Sequence, residues 1–219
     1  MKKNLWLIIG AVVVVAAIVA SLIFVLTPGE NEPQVVIPDL SGNWTVVATY
    51  TNDTPTYTDG QSAKFADGSV SFYKDGDTNN AYAISTYTIN EAFQLSLPDM
   101  AREYKVDKKT DNVVRLYQDA NTYMLLVRSV SVLTQADGKW QVVMKGEQMN
   151  NGESLSFNSG KLEYYKAGSS TPAATADYVI ENGVLKAAAL GMEMRCYAVS
   201  DSAFVMVENN GIVWELAKQ

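Results

Sequence analysis

The sequence Leu40-Ser41-Gly42-Asn43-Trp44 decides the fold of this chain, because a similar sequence occurs a second time. The second copy reads Asp137-Gly138-Lys139-Trp140, and an apolar-rich run follows the tryptophan in both places. Recurrence at a fixed spacing is typical of a duplicated structural unit. The sequence therefore predicts two copies of one domain, each opened by a Gly-x-Trp signature.

Further matches between the two halves keep nearly constant spacing, with offsets that fall from 92 to 90 residues. The matched segments are Gly60–Phe65 with Gly152–Phe157, Gly68–Gly76 with Gly160–Gly168, Tyr87–Ile89 with Tyr178–Ile180, Met100 with Met192, Val113–Leu116 with Phe204–Val207, and Leu126–Arg128 with Leu216–Lys218. A small drift of this kind is what length changes in loops produce. The alternative is chance similarity between two β-rich halves.

Short β-rich runs alternate with Gly, Asn and Asp turns about every ten residues, a pattern typical of an all-β meander. The runs of the first copy begin near Trp44, Ala63, Val70, Tyr82, Phe93, Arg102, Val113 and Thr122. Alternation places Trp44, Val46 and Ala48 on one strand face. Eight antiparallel strands with one apolar face can close into a barrel and remove their free edges. We predict an all-β fold of two small antiparallel up-and-down barrels in tandem; one larger barrel or a two-sheet sandwich is the alternative.

An uncharged apolar segment, residues 5–26, precedes the repeats. At about 1.5 Å per residue it is long enough to span a hydrocarbon core of about 30 Å as an α-helix. Lys2 and Lys3 precede the segment, which predicts a cytoplasmic N-terminus and repeats outside the membrane. A cleaved signal peptide is the alternative, although its apolar region is usually only about 7–15 residues long.

These features give the predicted organisation of the chain and its location. The predicted parts are a cytoplasmic stub (1–4), a transmembrane helix (5–26), an extended Pro/Glu linker (27–38), and two barrel repeats (39–130 and 131–219). The predicted location is the cell membrane, crossed once, with both repeats periplasmic or extracellular. The lipid bilayer is then a partner through residues 5–26.

Composition excludes several classes of function. The net charge is −7, and the chain after Lys2 and Lys3 carries −9, so nucleic-acid binding is not expected. Histidine is absent, which removes His-based triads and His-ligated zinc or haem. The one cysteine, Cys196, cannot form an intramolecular disulfide. We predict no catalytic residues, no cofactor, and hence no enzyme.

The first repeat also resembles a known family. Leu40 to Trp44, the Phe65–Gly68 turn, the Tyr87–Ile89 run and a last strand ending in Arg128 resemble the bacterial lipocalin-like domains of the calycin group. The resemblance implies that Trp44 closes one barrel end with Arg128 packed over it, and that Trp140 and Lys218 have these roles in the second repeat. A cation over an indole ring contributes about 0.5–2 kcal/mol.

The same resemblance implies that the barrels bind a small hydrophobic molecule. The interior residues expected to contact it are Phe72, Tyr87, Tyr164, Tyr178, Met192 and Met194. We therefore expect a non-enzymatic, membrane-anchored envelope protein that binds a small apolar ligand or an envelope component. The alternative is a structural or protein-interaction module whose barrels are filled by side chains and whose outer faces dock a partner.

Three further patterns suggest chemistry, and each has a simpler explanation. Met192, Met194 and Cys196 alternate on one face and could bind Cu(I), but flexible apolar side chains also fill small barrels. Asp75–Asn79 begins like a calcium loop but lacks the later EF-hand ligands, which favours a hairpin turn. Six tyrosines could line a surface for sugars or protein, but ordinary strand packing with hydroxyls at the rim also explains them; they are Tyr50, Tyr57, Tyr73, Tyr82, Tyr164 and Tyr165.

Overall fold

The computed structural model describes residues 35–219, and this part of the chain is almost entirely β-structure. Residues 37–219 form one compact unit that contains two antiparallel sheets. Within residues 35–219, no helix has the length and apolarity needed to cross a bilayer. The predicted transmembrane helix, residues 5–26, lies outside the described residues. The predicted all-β class is confirmed.

The first sheet contains ten strands and one short 3₁₀ turn. They are β1 (Gly42–Thr51), β2 (Thr54–Tyr57), β3 (Ser62–Ala66), β4 (Ser69–Tyr73), β5 (Ala83–Thr86), β6 (Thr88–Ile89), β7 (Gln94–Leu97), the turn Pro98–Met100, β8 (Arg102–Lys108), β9 (Val113–Tyr117) and β10 (Thr122–Val127). The strand order is β5-β4-β3-β1-β10-β9-β8-β7-β6, with β2 paired to β1. The eight predicted runs each coincide with one of these strands.

The second sheet repeats this arrangement. Its elements are β11 (Ser131–Val132), β12 (Gly138–Lys145), β13 (Gln148–Met149), β14 (Ser154–Asn158), β15 (Lys161–Tyr165), β16 (Ala174–Asp177), β17 (Val179–Glu181), β18 (Val184–Ala187), the turn Ala188–Leu190, β19 (Met192–Ser200), β20 (Ala203–Glu208) and β21 (Val213–Lys218). The order is β16-β15-β14-β12-β21-β20-β19-β18-β17, with β11 paired to β19 and β13 to β12.

Each sheet is nearly closed, because the two strands at its ends are consecutive in the sequence. One residue, Tyr87, separates β5 from β6, and its backbone N–H donates to the carbonyl of Gly68 at 2.9 Å. Tyr178 separates β16 from β17 and donates in the same way to Gly160, also at 2.9 Å. A bent strand therefore completes each barrel, pairing with β4 or β15 on one side and with β7 or β18 on the other. Two barrel-like sheets are formed rather than one larger barrel.

A β-bulge in the first strand of each barrel changes which face its residues occupy. The register of β1 shifts between Val46 and Ala48, and that of β12 shifts between Val142 and Met144. An extra residue in one strand reverses the alternation beyond it. Trp44 and Val46 therefore lie in the barrel interior, whereas Ala48 lies in the outer cluster. The prediction that Ala48 shares the face of Trp44 is wrong.

The buried residues form three clusters. One fills the first barrel, around Trp44, Phe65 and Leu116, and a second fills the other barrel, around Trp140 and Phe204. The third contains outward residues of both barrels, so the two modules pack against one another. We call this shared surface the waist.

In the second half of each repeat, the structure pairs the residues of the two copies differently from the sequence alignment. The 3₁₀ turn Pro98–Met100 matches Ala188–Leu190, and each turn is followed by a left-handed residue. Met100 therefore lies opposite Leu190, not Met192. Val114, and not Val113, shares the inward face with Phe204. The offset here is 90 residues, because the two copies differ in length in earlier loops.

Candidate functional site

At one end of the first barrel, Trp44 is almost fully buried, with 1% of its surface exposed. Its indole N–H donates to the carbonyl of Leu40 at 2.7 Å, and the Arg128 guanidinium lies 4.6 Å from its ring centroid. Gly42 passes beneath the arginine with φ of +114°, and a Cβ there would lie 2.6 Å from Arg128 Nη1. A glycine is therefore needed two residues before the tryptophan.

The corresponding end of the second barrel has the same arrangement with looser contacts. The Trp140 indole N–H donates to the carbonyl of Ala136 at 2.8 Å, so Ala136 replaces Leu40. The Lys218 ammonium lies 5.6 Å from the Trp140 ring. Lysine cannot stack as a flat guanidinium does, so this cation holds its ring less firmly. We call these two regions the tryptophan ends.

The six residues predicted to contact a ligand are divided between the barrels and do not line one site. Phe72 and Met194 are buried in the two interiors. Tyr87 and Tyr178 pack edge-on against Phe65 and Phe157, with ring centroids 5.2 and 5.1 Å apart.

The other two predicted residues belong to the second barrel. The Tyr164 hydroxyl donates to the Glu153 carboxylate at 2.6 Å, and burial is the main cause that raises the pKa of Tyr164 to about 12. Met192 is partly buried against the core of the barrel.

The barrel interiors are filled by side chains. A chamber large enough for a ligand would leave its lining accessible to water. Most residues of the two interior clusters are instead almost inaccessible; Leu95, Val114, Leu162 and Phe204 are fully buried. Dense packing of this kind is typical of a core and not of a binding pocket.

Cys196 belongs to the filled core of the second barrel together with Met194. Its thiol donates to the Met194 carbonyl at 3.5 Å. Burial raises the pKa of Cys196 to about 12, so the thiol is protonated at neutral pH. Metal binding and nucleophilic attack both need the thiolate. The environment favours a packing role for this face.

The segment Asp75–Asn79 forms a hydrogen-bonded turn, as the missing EF-hand ligands predict. The Asp77 carboxylate accepts hydrogen bonds from the backbone N–H groups of Asn79 and Asn80 at 2.7 and 3.1 Å. It also accepts one from the Asn80 side chain at 2.9 Å. The side-chain hydrogen bond from Asn80 is the main cause that lowers the pKa of Asp77. The carboxylate thus serves the turn itself.

The waist is a contact between the two barrels that the sequence analysis does not predict. Its apolar part contains outward residues of both barrels, namely Val47, Ala48, Tyr50, Val113, Tyr123, Leu125 and Val127 with Met144, Tyr197, Val205, Val207 and Val213. Tyr50 and Tyr123 stack with centroids 4.9 Å apart, and Gly211 of the second barrel packs directly on both rings. Two of the tyrosines proposed as an open surface, Tyr50 and Tyr57, thus belong to an internal contact.

Polar groups surround this apolar contact. The Glu147 carboxylate pairs with Lys109 at 2.6 Å and with Arg115 at 2.8 Å. The hydrogen bond from Lys109 is the main cause that lowers the pKa of Glu147, and burial opposes it. Glu215 is buried and accepts a hydrogen bond from the Asn112 side chain at 2.6 Å. These pairs fix the orientation of one barrel on the other.

A third ion pair lies at the edge of the waist. The Arg195 guanidinium contacts the Asp59 carboxylate at 2.6 Å and lies 3.7 Å from the ring centroid of Tyr57.

The signal that could have revealed the waist is the sequence of β10, Thr122–Val127, which is apolar on both faces. A strand that faces solvent on one side alternates instead.

A large open cleft lies across β8 of the first barrel, and its lining includes interior residues such as Tyr104 and Val106 as well as exposed ones. It has a volume of about 880 Å³ and contains both apolar and charged groups. Its lining is Ala92, Phe93, Gln94, Glu103, Tyr104, Lys105, Val106, Asp107, Tyr117, Gln118, Asp119 and Ala120. We call it the β8 cleft. The sequence does not reveal this cleft, because its lining comes from three separate segments of the chain.

The fold and these surfaces define an all-β protein of two packed barrel-like modules. The family model for the VirB8 protein matches residues 1–158, which is more than half of the chain, and the chain belongs to this family. VirB8 proteins are envelope components of type IV secretion systems. No curated protein matches the chain.

The match covers the N-terminal segment, the first barrel, and the second sheet as far as the end of β14 at Asn158. Family membership shows that the assignment to the lipocalin-like domains is wrong. The assignment was suggested by Trp44 and Arg128, a large ring and a cation that together cover the end of an antiparallel barrel. This arrangement depends on barrel geometry and is not specific to one family.

Proposed function

We propose that this chain is a membrane-anchored, non-enzymatic component of a secretion apparatus that acts by protein–protein contact. The observation that carries the proposal is the packing of both barrel interiors, which leaves the outer surfaces for recognition. Membership in the VirB8 family supports it, because these proteins are secretion-system components. A small apolar ligand is not needed for this role.

The proposed anchor is the apolar segment, residues 5–26, with the N-terminus in the cytoplasm and both barrels outside. The sequence supports this arrangement, because the segment is uncharged and is preceded by Lys2 and Lys3. Residues 27–38 would then connect the anchor to the first barrel. We further propose that Trp44 with Arg128, and Trp140 with Lys218, hold the barrel ends closed.

The waist supports the view that outer strand faces of this fold suit contact with protein surfaces. It combines stacked aromatic rings, β-branched residues and charge pairs at its border. An apolar centre with a polar rim is the usual anatomy of a protein interface.

Photo-crosslinking in the native envelope tests this function. A photoreactive residue is placed at exposed positions on each barrel, with Lys105 and Ile84 as examples, and at Phe204 in an interior as the matched control. We expect crosslinks to another component of the apparatus from some exposed positions and none from Phe204. The proposal fails if no exposed position crosslinks to protein while native mass spectrometry of the full chain shows a stoichiometric small molecule.

A further inference from the structure

The surface across β19 of the second barrel is covered by the first barrel. The Arg195 guanidinium lies 3.7 Å from the ring centroid of Tyr57 and contacts the Asp59 carboxylate at 2.6 Å. The Tyr57 hydroxyl donates to the side-chain oxygen of Asn209 at 2.7 Å. Arg195 on β19 and Asn209 in the turn after β20 thus belong to a surface that binds another part of the protein.

The β8 cleft is the equivalent surface of the first barrel. Strand β9 pairs with β8 in the same register as β20 with β19, at an offset of 90 residues, so Lys105 corresponds to Arg195. The turns that follow β9 and β20 have equal length, so Asp119 corresponds to Asn209. In the part of the chain that the structure describes, this surface is an open cleft of about 880 Å³.

The β8 cleft differs in chemistry from its counterpart. Asp119 places a carboxylate where the second barrel has the neutral Asn209, and Tyr117 places an aromatic ring where it has Val207. The covered surface therefore suits the tyrosine of the first barrel that contacts it, whereas the open surface suits a different occupant.

The charge balance of the cleft is negative. Its lining contains three carboxylates, those of Glu103, Asp107 and Asp119, against the single ammonium of Lys105. The Asp107 carboxylate is paired with Lys109 at 2.8 Å, which leaves the other two without a cation among residues 35–219. The chain carries a net charge of −7, so its overall field also attracts cations.

A carboxylate and a tyrosine ring already hold arginines inside this molecule. Arg115 pairs with the Glu147 carboxylate at 2.8 Å, and its guanidinium lies 5.5 Å from the Tyr123 ring centroid. Arg195 is held by the same two kinds of group, and both arginines join one barrel to the other. The β8 cleft contains carboxylates and the Tyr117 ring without such an arginine.

We propose that the β8 cleft is the docking site for a basic segment of a partner protein, which places an arginine or lysine side chain against Tyr117 and the carboxylates of Glu103 and Asp119. This inference rests on the proposed function and specifies the charge of the partner surface. The face of an aromatic ring attracts a cation, and the ring also gives apolar contact to the stem of either side chain.

Two synthetic peptides test the proposal on the full chain in a neutral detergent. One is acetyl-Gly-Arg-Gly-Arg-Gly-amide, and the matched control replaces both arginines by glutamine. Binding is measured by fluorescence anisotropy, and the site by changes in the amide NMR signals of Glu103, Tyr117 and Asp119. We expect the arginine peptide to bind at least about five-fold more tightly, with its signal changes in the cleft.

Isosteric variants of the protein separate the cleft from the general negative charge of the chain. Glu103→Gln combined with Asp119→Asn should weaken binding of the arginine peptide about ten-fold, the effect of two ion pairs. Glu193→Gln is the matched control, because Glu193 is the equivalent of Glu103 in the second barrel, and it should change binding by less than about 1.5-fold. Lys105→Gln should strengthen binding about two-fold, since it removes a repulsive charge.

Three results overturn the proposal: equal binding of the glutamine peptide, a loss with Glu193→Gln as large as that of the cleft variant, or signal changes outside the cleft. So does a change of the cleft signals with protein concentration before peptide is added, because a second copy of this chain would then be the occupant. If these tests fail while envelope crosslinks persist, the proposed function stands and only this site is wrong.

Discussion

Replacing Gly42 by alanine tests the structure of the tryptophan end with a well-defined perturbation. Two costs follow from the geometry. At φ of +114°, a residue with a Cβ is strained by about 1–3 kcal/mol. The new Cβ would also lie 2.6 Å from Arg128 Nη1, which moves the guanidinium off Trp44 and removes about 0.5–2 kcal/mol of cation–π energy. We expect Gly42→Ala to reduce the free energy of unfolding by about 1.5–5 kcal/mol.

Gly138→Ala in the second barrel is the matched control. Its φ of +121° imposes the same backbone cost, but its Cβ would lie 3.3 Å from Lys218 Cε, the far end of a flexible side chain. We expect a loss of about 1–3 kcal/mol, smaller than for Gly42→Ala. The assay is urea unfolding followed by tryptophan fluorescence. Equal losses for the two variants would refute the role assigned to Arg128, and no loss in either would refute the strained backbone.

Three other perturbations have defined outcomes. Trp44→Ala should cost about 3–5 kcal/mol of unfolding free energy, as deletion of a buried aromatic ring does, and a value near zero in urea unfolding would contradict its place in the core. Glu147→Gln should cost less than about 1 kcal/mol at pH 7, because the Glu147 side chain is 66% exposed. The pKa of Glu147 is lowered in the folded state, so its contribution is present above its usual pKa and lost as pH falls through the lowered value. Unfolding curves of the wild type and Glu147→Gln should therefore differ at pH 7 and coincide near about pH 2–3, and a constant difference would exclude this pairing. Cys196 should resist iodoacetamide at pH 8 until urea unfolds the chain, because burial raises the pKa of its thiol to about 12. Rapid labelling of the native protein, detected by mass spectrometry, would instead show that the thiol is accessible.

Much of the strand structure could be predicted from the sequence, because turn residues and alternation are local signals. The start of each run, from Trp44 to Thr122, was visible in this way. The face of Ala48 was not, because period-two alternation assumes a regular strand and β1 contains a bulge after Val46. The alignment of Met100 failed for a related reason, since loop lengths had already shifted the register between the repeats.

The waist and the β8 cleft depend on contacts between distant residues, which local patterns do not encode. Glu147 meets Lys109 and Arg115 only after both barrels have formed and packed. The ligand-binding residues stay a prediction, because inward alternation identifies the residues of a barrel interior but not whether the interior is empty. Whether an interior is empty depends on how much of its volume the neighbouring side chains fill.

Each barrel begins and ends on adjacent strands, which has a mechanical consequence. Thr45 near the start of β1 pairs with Val127 at the end of β10, so the chain enters and leaves the first barrel at the same end. A pulling force on the two ends of the barrel's chain would therefore separate β1 from β10 starting at that end. The hydrogen bonds would break one at a time and would not be sheared together. The contact of Arg128 with Trp44 lies at the end where this separation would begin.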